Sequence, residues 1–295
     1  METVLPQDHI LLEEPMSRHT TFGIGGPAEC FVIVDTADQL ERVFSYLQRA
    51  GWDFFLIGNG SNLLVGDKGY RGVVIRLGQG FEKIDVQGDR MTAGAGVLLG
   101  GAAKAALAAG LSGMEFASGI PGTIGGAVRM NAGAYGGEMS RIVETVEVMG
   151  LDGEILTLDN ETMEFAYRSS VIKNRPYVVL SVTLRLTPGN EEEIAGKMRE
   201  LTRRRREKQP LEYPSAGSAF KRPEGYFAGK LIMDAGLQGY SCGGAQVSEK
   251  HCGFIINRGN ATAADVAQLI RKTITTVQDK FGVTLEPEVI FLGDF

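Results

Sequence analysis

The chain has 295 residues and a formal net charge of −6 at pH 7; 43% of its residues are hydrophobic and 22% are charged. This length predicts two or three domains, and the composition is typical of a soluble globular protein with a sizeable core, which excludes a disordered chain. The negative charge argues against a nucleic-acid-binding protein, and every apolar run is too short to span a membrane.

The few cysteines and histidines give no metal or disulfide pattern. Cys30, Cys242 and Cys252 form no C-x-x-C pair, and the three histidines share no ligand-like spacing with them. We therefore expect reduced thiols and no metal site. The N-terminal segment lacks a basic region followed by an apolar stretch, so no signal peptide is predicted and the expected location is the cytoplasm.

The first eighty residues predict strand, helix, strand, loop and strand. Apolar residues at helical spacing indicate a helix over 36–51, with Thr36 as its N-cap and Gly51 at its end. The predicted strands are 28–35, 53–58 and 72–77.

A second α/β segment follows. It begins with a strand end at 90–96 and an alanine-rich helix over 98–110. After a glycine-rich segment the chain becomes largely β, with a short helix and loop predicted over 160–171. The strands expected there are 141–150, 154–159 and 177–186.

The stretch 189–210 is the strongest helix signal, because its acidic start and basic end complement the helix dipole and Pro210 marks its end. It also indicates a domain boundary. Its basic run, Arg203–Lys208, has two interpretations: the solvated face of a helix, or a local anion site.

Beyond this helix the pattern predicts a smaller α+β unit. It starts with a loop over 210–223. The helices and strands expected after that loop are a helix at 226–236, a strand at 252–259, an amphipathic helix at 262–282 and a final strand at 284–293.

Two glycine-rich segments are candidate ligand sites: "IGNGSNLLVGD" over 57–67 and "SGIPGTIGGAV" over 118–128. Consecutive backbone N–H groups beside small hydroxyl side chains can bind phosphate without a basic residue, and a following helix N-terminus would favour an anion further. The alternative is two tight turns with no ligand.

The common nucleotide fingerprints are absent from these segments. Neither has the lysine of a P-loop, and "GAGVLLG" at 94–100 has its third glycine one residue late for the Rossmann pattern. The β-rich stretch after Arg141 also does not continue a doubly wound fold.

Seven stretches in order resemble one family: "TTFGIGGPAECF", "IGNGSNLLV", "GMEFASGIPGTIGGAVRMNAGAYGGE", "FAYRSS", "GSAFKRP", "GGAQVSEKHCGFIIN" and "LEPEVIFLG". They are similar to the UDP-N-acetylenolpyruvoylglucosamine reductases (MurB), the flavoenzymes of peptidoglycan precursor synthesis. The similarity extends from about residue 17 to 293. The short link between "FAYRSS" and "YVVLSV" resembles the shorter form of the family, which lacks the insertion whose tyrosine caps the substrate.

This resemblance implies an α+β chain with a vanillyl-alcohol-oxidase/PCMH-type FAD-binding fold. Two α/β subdomains, over 1–83 and 84–188, would bind FAD non-covalently, and residues 189–295 would form a C-terminal α+β substrate-binding domain. The residues that the resemblance places at FAD are Ile57, Gly58, Asn59, Gly60, Ser61, Asn62, Ser118, Gly119, Ile120, Pro121, Gly122, Thr123, Gly125, Gly126 and Ala127.

The family's reaction assigns catalytic roles to Arg168, Ser218 and Glu288. Hydride passes from NADPH to flavin and then to C3 of the enolpyruvyl group. Arg168, with Glu288, would hold the carboxylate that serves as an electron sink, and a carboxyl kept neutral in a dry pocket is reasonable for Glu288. Ser218 would deliver the proton to C2, a role that a weak acid fills through its position and a basic acceptor.

The UDP part of such a substrate needs polar and cationic contacts. Lys208, Lys221 and Arg222 lie in matching stretches and are expected near the diphosphate, although some relatives have asparagine at the position of Arg222. Tyr167 is expected beside substrate, flavin or nicotinamide.

Two other functions stay open. An oxidase on the same flavin fold often tethers FAD through histidine or cysteine, but none of the three histidines lies in a glycine segment. A non-enzymatic nucleotide-binding module would leave the three catalytic candidates without a joint purpose. The expected partner is a small-molecule substrate, with no nucleic acid or membrane, and the expected state is a monomer.

Overall fold

The computed structural model describes residues 4–295, which form two compact units that are each discontinuous in sequence. The first contains the described residues up to Leu11, with Cys30–Asn59 and Gly72–Arg205; the second contains Leu12–Glu29, Gly60–Arg71 and Arg206–Phe295. A division into three consecutive domains, 1–83, 84–188 and 189–295, stays a prediction.

The described residues contain seven α-helices. In chain order they are α1 (Ala37–Ala50), α2 (Leu99–Ala108), α3 (Ile124–Arg129), α4 (Val171–Asn174), α5 (Glu191–Lys208), α6 (Ala228–Asp234) and α7 (Ala263–Phe281).

The same residues contain nineteen strands. These are β1 (Ile10–Pro15), β2 (Pro27–Val34), β3 (Phe54–Ile57), β4 (Leu63–Val65), β5 (Tyr70–Leu77), β6 (Ile84–Gln87), β7 (Arg90–Gly94), β8 (Leu111–Ser112), β9 (Gly133–Ala134), β10 (Gly137–Glu138), β11 (Val143–Gly150), β12 (Ile155–Asp159), β13 (Tyr177–Arg185), β14 (Thr187–Pro188), β15 (Ser215–Ser218), β16 (Ser241–Cys242), β17 (Ala245–Val247), β18 (Phe254–Asn257) and β19 (Ile290–Leu292).

Two sheets organise the first unit. One has the order β1-β2-β5-β3, with β3 and β5 parallel, and the other is antiparallel with the order β12-β11-β13-β7-β6. Helix α1 buries one apolar stripe in this unit's core: Leu40, Val43, Phe44 and Leu47. As predicted, the Thr36 side chain caps α1 and Gly51 ends it in the left-handed region.

The second unit has its own core and a four-stranded sheet, β15-β18-β17-β16. Helix α7 covers this core, and its start is fixed by a capping box in which Thr262 and Asp265 satisfy each other's backbone N–H. Asp67 adds two bonds to the same helix start, accepting from the N–H of Ala263 at 2.7 Å and of Ala264 at 2.9 Å.

The structure differs from the sequence prediction at several elements. The short helix expected within 160–171 is not found there, and α4 begins only at Val171. The sequence did not predict the short strands β4, β6, β8, β9, β10, β14, β16 and β17. Strand β1 was not predicted, and β15 forms inside the expected loop at 210–223, where "SAGS" has none of the β-branched or aromatic residues typical of strands. The expected final strand over 284–293 is reduced to Ile290–Leu292. Since β15 and β19 depend on partner strands distant in sequence, their local composition could not reveal their extent.

None of the helices in the described part of the chain has the length and apolar character needed to cross a membrane.

A cluster of charges lies at one end of the antiparallel sheet in the first unit. Arg90 donates to both Glu144 oxygens, at 2.7 and 3.0 Å, and Arg185 donates to Glu144 at 2.6 Å and to Asp89 at 2.9 Å. The hydrogen bonds from Arg90 and Arg185 lower the pKa of Glu144 to about 2. Several charges share these contacts, so the cluster contributes more than an isolated surface pair would.

Replacing Glu144 with Gln removes the carboxylate that both guanidinium groups contact. Because the folded-state pKa lies below the usual value of 4.5, Glu144 stabilises the fold above the unfolded-state pKa and loses this contribution as the pH falls towards about 2. We expect Glu144→Gln to lower the urea midpoint at about pH 7, and the difference from wild type to shrink below about pH 4.

Glu147→Gln, at an exposed position of the same strand, is the control and should show no such pH-dependent difference. Equal midpoints for wild type and Glu144→Gln at about pH 7 would contradict the prediction.

Candidate functional site

Residues 57–59 of the first glycine-rich segment meet the second segment within the first unit. Asn59 donates its side-chain amide to the Pro121 carbonyl at 2.6 Å, and a Cβ on Gly58 would lie 2.6 Å from Thr123 Oγ1. Only glycine permits this approach, because a side chain would displace the Thr123 hydroxyl. That hydroxyl is already used, since it accepts from the Gly126 N–H at the start of α3.

Both segments carry backbone N–H groups that donate to no acceptor among residues 4–295. Such groups favour an anionic ligand when they cluster, because an unpaired N–H loses its hydration without compensation if it is buried. The residues concerned are Asn59, Gly119, Gly122 and Thr123 in the first unit and Gly60, Ser61 and Asn62 in the second.

One arginine of the basic run lies against the second glycine segment. Arg203, Arg204 and Arg206 are exposed, whereas Arg205 is half-buried. A Cβ on Gly119 would lie 3.0 Å from Arg205 Cδ and 3.3 Å from its Nη1.

Burial lowers the pKa of Arg205, and no carboxylate among the described residues pairs with it. A desolvated guanidinium without an acidic partner is costly unless an anion supplies the opposite charge. The unpaired N–H groups of Asn59, Gly119, Gly122 and Thr123, together with Arg205, fit the diphosphate of a dinucleotide such as FAD. The exposed arginines of the basic run form a solvated face, and Arg205 is the candidate for an anion site.

Arg168 lies at the tip of a tight turn in the first unit. Ala166 and Ser169 exchange backbone hydrogen bonds of 3.0 and 3.2 Å across the turn. Arg168 itself has φ +54°, a left-handed conformation that costs a non-glycine residue about 1–2 kcal/mol. Its guanidinium lies 5.1 Å from the centroid of the Tyr167 ring, which is largely exposed. The turn therefore holds a permanent positive charge at a partly exposed position.

Ser218 and Glu288 are brought together in the second unit. Ser218 ends β15, and the next residue, Ala219, accepts a backbone hydrogen bond from the Glu288 N–H at 2.9 Å. Asn62 donates its side-chain amide to the Glu288 carbonyl at 3.0 Å. Both candidate residues are half-buried.

The local structure at Ser218 and Glu288 corrects two expectations. Ser218 belongs to a strand rather than a loop, and the φ of +76° at Gly217 interrupts that strand's pairing just before it. Glu288 precedes β19 instead of lying within a strand. Its backbone is therefore fixed by single hydrogen bonds to neighbouring segments rather than by a sheet.

The expected diphosphate contacts differ in their surroundings. Lys208 is exposed at the end of α5, and Lys221 forms an ion pair with Glu286. The Arg222 guanidinium lies 4.0 Å above the Phe227 ring, and its Nε donates to the Tyr226 carbonyl at 3.3 Å. These contacts hold Arg222 in one place on the surface of the second unit.

One further site residue, Arg205, was not singled out from the sequence, where it is one of four adjacent arginines. Asn62 was expected at FAD, but its side-chain contact with the Glu288 backbone was not predicted. Helical spacing alone could have indicated that one arginine of the run points inward, but it does not say which one.

Comparison with known proteins shows the family of the chain. Residues 28–159 match the family model "FAD binding domain", and residues 209–292 match "UDP-N-acetylenolpyruvoylglucosamine reductase, C-terminal domain". The chain is 52% identical to the reductase of that name from Agathobacter rectalis, with 99% of this chain and 96% of the relative covered. The reductase from Caldanaerobacter subterraneus is also 52% identical, with coverage of 100% and 97%.

A solved structure is similar in fold as well as in sequence. The crystal structure of the reductase (MurB) from Thermus caldophilus matches with a TM-score of 0.83 and 40% identity, covering 96% of this chain and 98% of that one. The fold is accordingly α+β with a PCMH-type FAD-binding part, as predicted. From its sequence and its fold alike, the chain belongs to the UDP-N-acetylenolpyruvoylglucosamine reductase family.

Proposed function

We propose that this protein reduces the enolpyruvyl ether of UDP-N-acetylglucosamine to UDP-N-acetylmuramate in peptidoglycan precursor synthesis. It is an FAD-containing oxidoreductase of this family, and NADPH is the hydride donor. The observation that carries the proposal is family membership over the whole chain, which includes both the FAD-binding part and the C-terminal domain.

The glycine-rich segments, 57–62 and 118–127, are proposed to bind FAD, with the unpaired N–H groups and Arg205 facing its diphosphate. When bound, FAD would carry hydride from NADPH to the substrate. The protein supplies a rigid cradle, because close contacts such as that between Gly58 and Thr123 fix the segments before the cofactor arrives.

Arg168 is proposed to bind the carboxylate of the enolpyruvyl group. An enol ether is a poor electrophile, so hydride addition at C3 is favoured when charge that develops towards the carboxylate is stabilised by a fixed cation. Guanidinium suits this role because it stays charged and binds carboxylates through two parallel hydrogen bonds. Glu288 is proposed to orient or donate at the same carboxylate.

Ser218 is proposed to donate a proton to C2 after hydride addition. Its position at the end of β15 is fixed by the Ala219 N–H, which donates to the Gly253 carbonyl at 2.8 Å. The hydroxyl is a weak acid, so its contribution depends on position and on the strong basicity of the carbanion-like acceptor.

The UDP part of the substrate is proposed to contact Tyr167, Lys208, Lys221 and Arg222. The anchored guanidinium of Arg222 supports this assignment, because a cation held in place loses less conformational entropy when a phosphate binds. We further propose that the protein acts as a cytoplasmic monomer without a nucleic-acid or membrane partner.

Anaerobic flavin spectroscopy tests the proposed reaction. NADPH should bleach the visible flavin absorption of the purified protein, and the enolpyruvyl ether of UDP-N-acetylglucosamine should restore it without oxygen. A spectrum that returns only when air is admitted would favour the oxidase, and no flavin spectrum even after FAD is added would contradict both flavoenzyme functions.

Ser218→Ala tests the proton donor. We expect near-normal flavin reduction by NADPH and an anaerobic reoxidation by substrate that is slower by about 10²–10³-fold or more, the cost typical of removing one donor to a developing charge. Stopped-flow absorbance separates the two steps. Ser215→Ala, at the other end of β15, is the matched control. Wild-type reoxidation in Ser218→Ala would exclude this role.

Arg205→Gln tests the cofactor contact. Loss of a charge-assisted hydrogen bond costs about 1.5–3 kcal/mol, so the Kd of the apoprotein for FAD should rise roughly 10- to 100-fold. Flavin fluorescence quenching measures the affinity independently of turnover. Arg206→Gln, at the exposed neighbouring position, should bind FAD like wild type. Equal affinities in the two variants would rule out the contact.

A further inference from the structure

The turn that carries Arg168 is held by side chains from a neighbouring segment of the same unit. The Ala166 carbonyl, which accepts from Ser169 within the turn, also accepts the side-chain amide of Asn131 at 3.2 Å. The carbonyl that closes the turn is therefore fixed from outside the turn.

Asn131 has both ends of its amide committed. Its Oδ1 accepts from the Ser140 N–H at 2.9 Å, which leaves the Nδ2 group directed at Ala166. The side chain is almost fully buried, with 4% exposed, and its backbone is left-handed at φ +40°. Asparagine tolerates this backbone conformation better than most residues, so the position combines a strained backbone with a buried polar contact to the turn.

The other side of the turn is held by a second pair of contacts. The buried Ser170 hydroxyl donates to the Arg129 carbonyl at 3.0 Å, and Arg129 Nη1 donates to the Ile172 carbonyl at 3.1 Å. The segment 129–131 thus contacts the chain both before and after Arg168. The left-handed backbone of Arg168 sets the direction in which its side chain leaves the turn, so small displacements of the turn would move the guanidinium.

We infer that Asn131 is a positioning residue for substrate reduction, acting through the Arg168 turn. The inference rests on the proposed role of Arg168 at the substrate carboxylate. Without the Asn131 amide, the Ala166 carbonyl keeps only its bond within the turn, and the turn gains freedom to tilt. A displacement near 1 Å at a catalytic group can cost about 100-fold in rate.

Asn131→Ala tests this inference in a double-mutant cycle with Arg168→Ala. We expect Asn131→Ala to slow anaerobic reoxidation by substrate roughly 10- to 100-fold while flavin reduction by NADPH stays close to wild type. In the Arg168→Ala background the same change should have almost no further effect, because residues acting through one another are not additive.

Thr183→Ala is the control, since it removes a half-buried side-chain hydrogen bond of the same unit, 3.1 Å long between the Thr183 and Thr92 hydroxyls, that has no part in the contacts of Asn131. It should lower the melting temperature without slowing reoxidation. If Asn131→Ala does not fold, Asn131→Gly also removes the amide but tolerates the left-handed backbone at φ +40°, and the same cycle applies.

The outcomes separate this inference from the proposed function. If Arg168→Ala reoxidises like wild type, the role of Arg168 fails and the inference fails with it. If Arg168→Ala is slow but Asn131→Ala is not, or if their effects multiply, Asn131 is only structural and the proposed function stands. A loss in Thr183→Ala equal to that in Asn131→Ala would likewise overturn the inference.

Discussion

The candidate site depends on one constraint: several backbone N–H groups have no acceptor within residues 4–295. In the first unit, Gly58 and Thr123 approach so closely that a single Cβ would separate them, and Asn59 ties its segment to the Pro121 carbonyl. These contacts hold the N–H groups in place before any ligand is present. Glycine is needed at these positions for two different reasons. At Gly58 it allows close packing against Thr123, and at Gly119 it leaves room for the Arg205 side chain.

The sequence predicts the parts of this molecule that depend on local chemistry. Helices α1, α5 and α7 follow from apolar spacing, capping residues and charge order, and their predicted bounds agree closely with the observed ones. Glycine segments and the family motifs indicated the cofactor site and the three catalytic candidates. The two discontinuous units, the strand Ser215–Ser218 and the contact between Asn131 and Ala166 were not predictable, because each depends on pairing between distant residues.

Net charge describes this protein poorly at the scale of its site. The net charge is −6, yet the backbone fixes the positions of two arginines. A left-handed turn positions Arg168, and the glycine at position 119 leaves space for Arg205. The acidic residues that surround other cations, such as Glu144 beside Arg90, contribute to stability. Arg205 of the first unit differs from these cations, because it is desolvated and none of the described carboxylates pairs with it.

The discontinuous second unit has a consequence for how the chain is made. Its core joins Phe22, Ile24 and Leu64, from the early segments, to residues that follow Arg206. Translation proceeds at about 5–20 residues per second, so these early side chains leave the ribosome many seconds before the rest of their core exists. During that interval their apolar surface is open to chaperones or to non-native contacts. If translation ended before Arg206, the released polypeptide would carry Phe22, Ile24 and Leu64 without the later residues that complete their core.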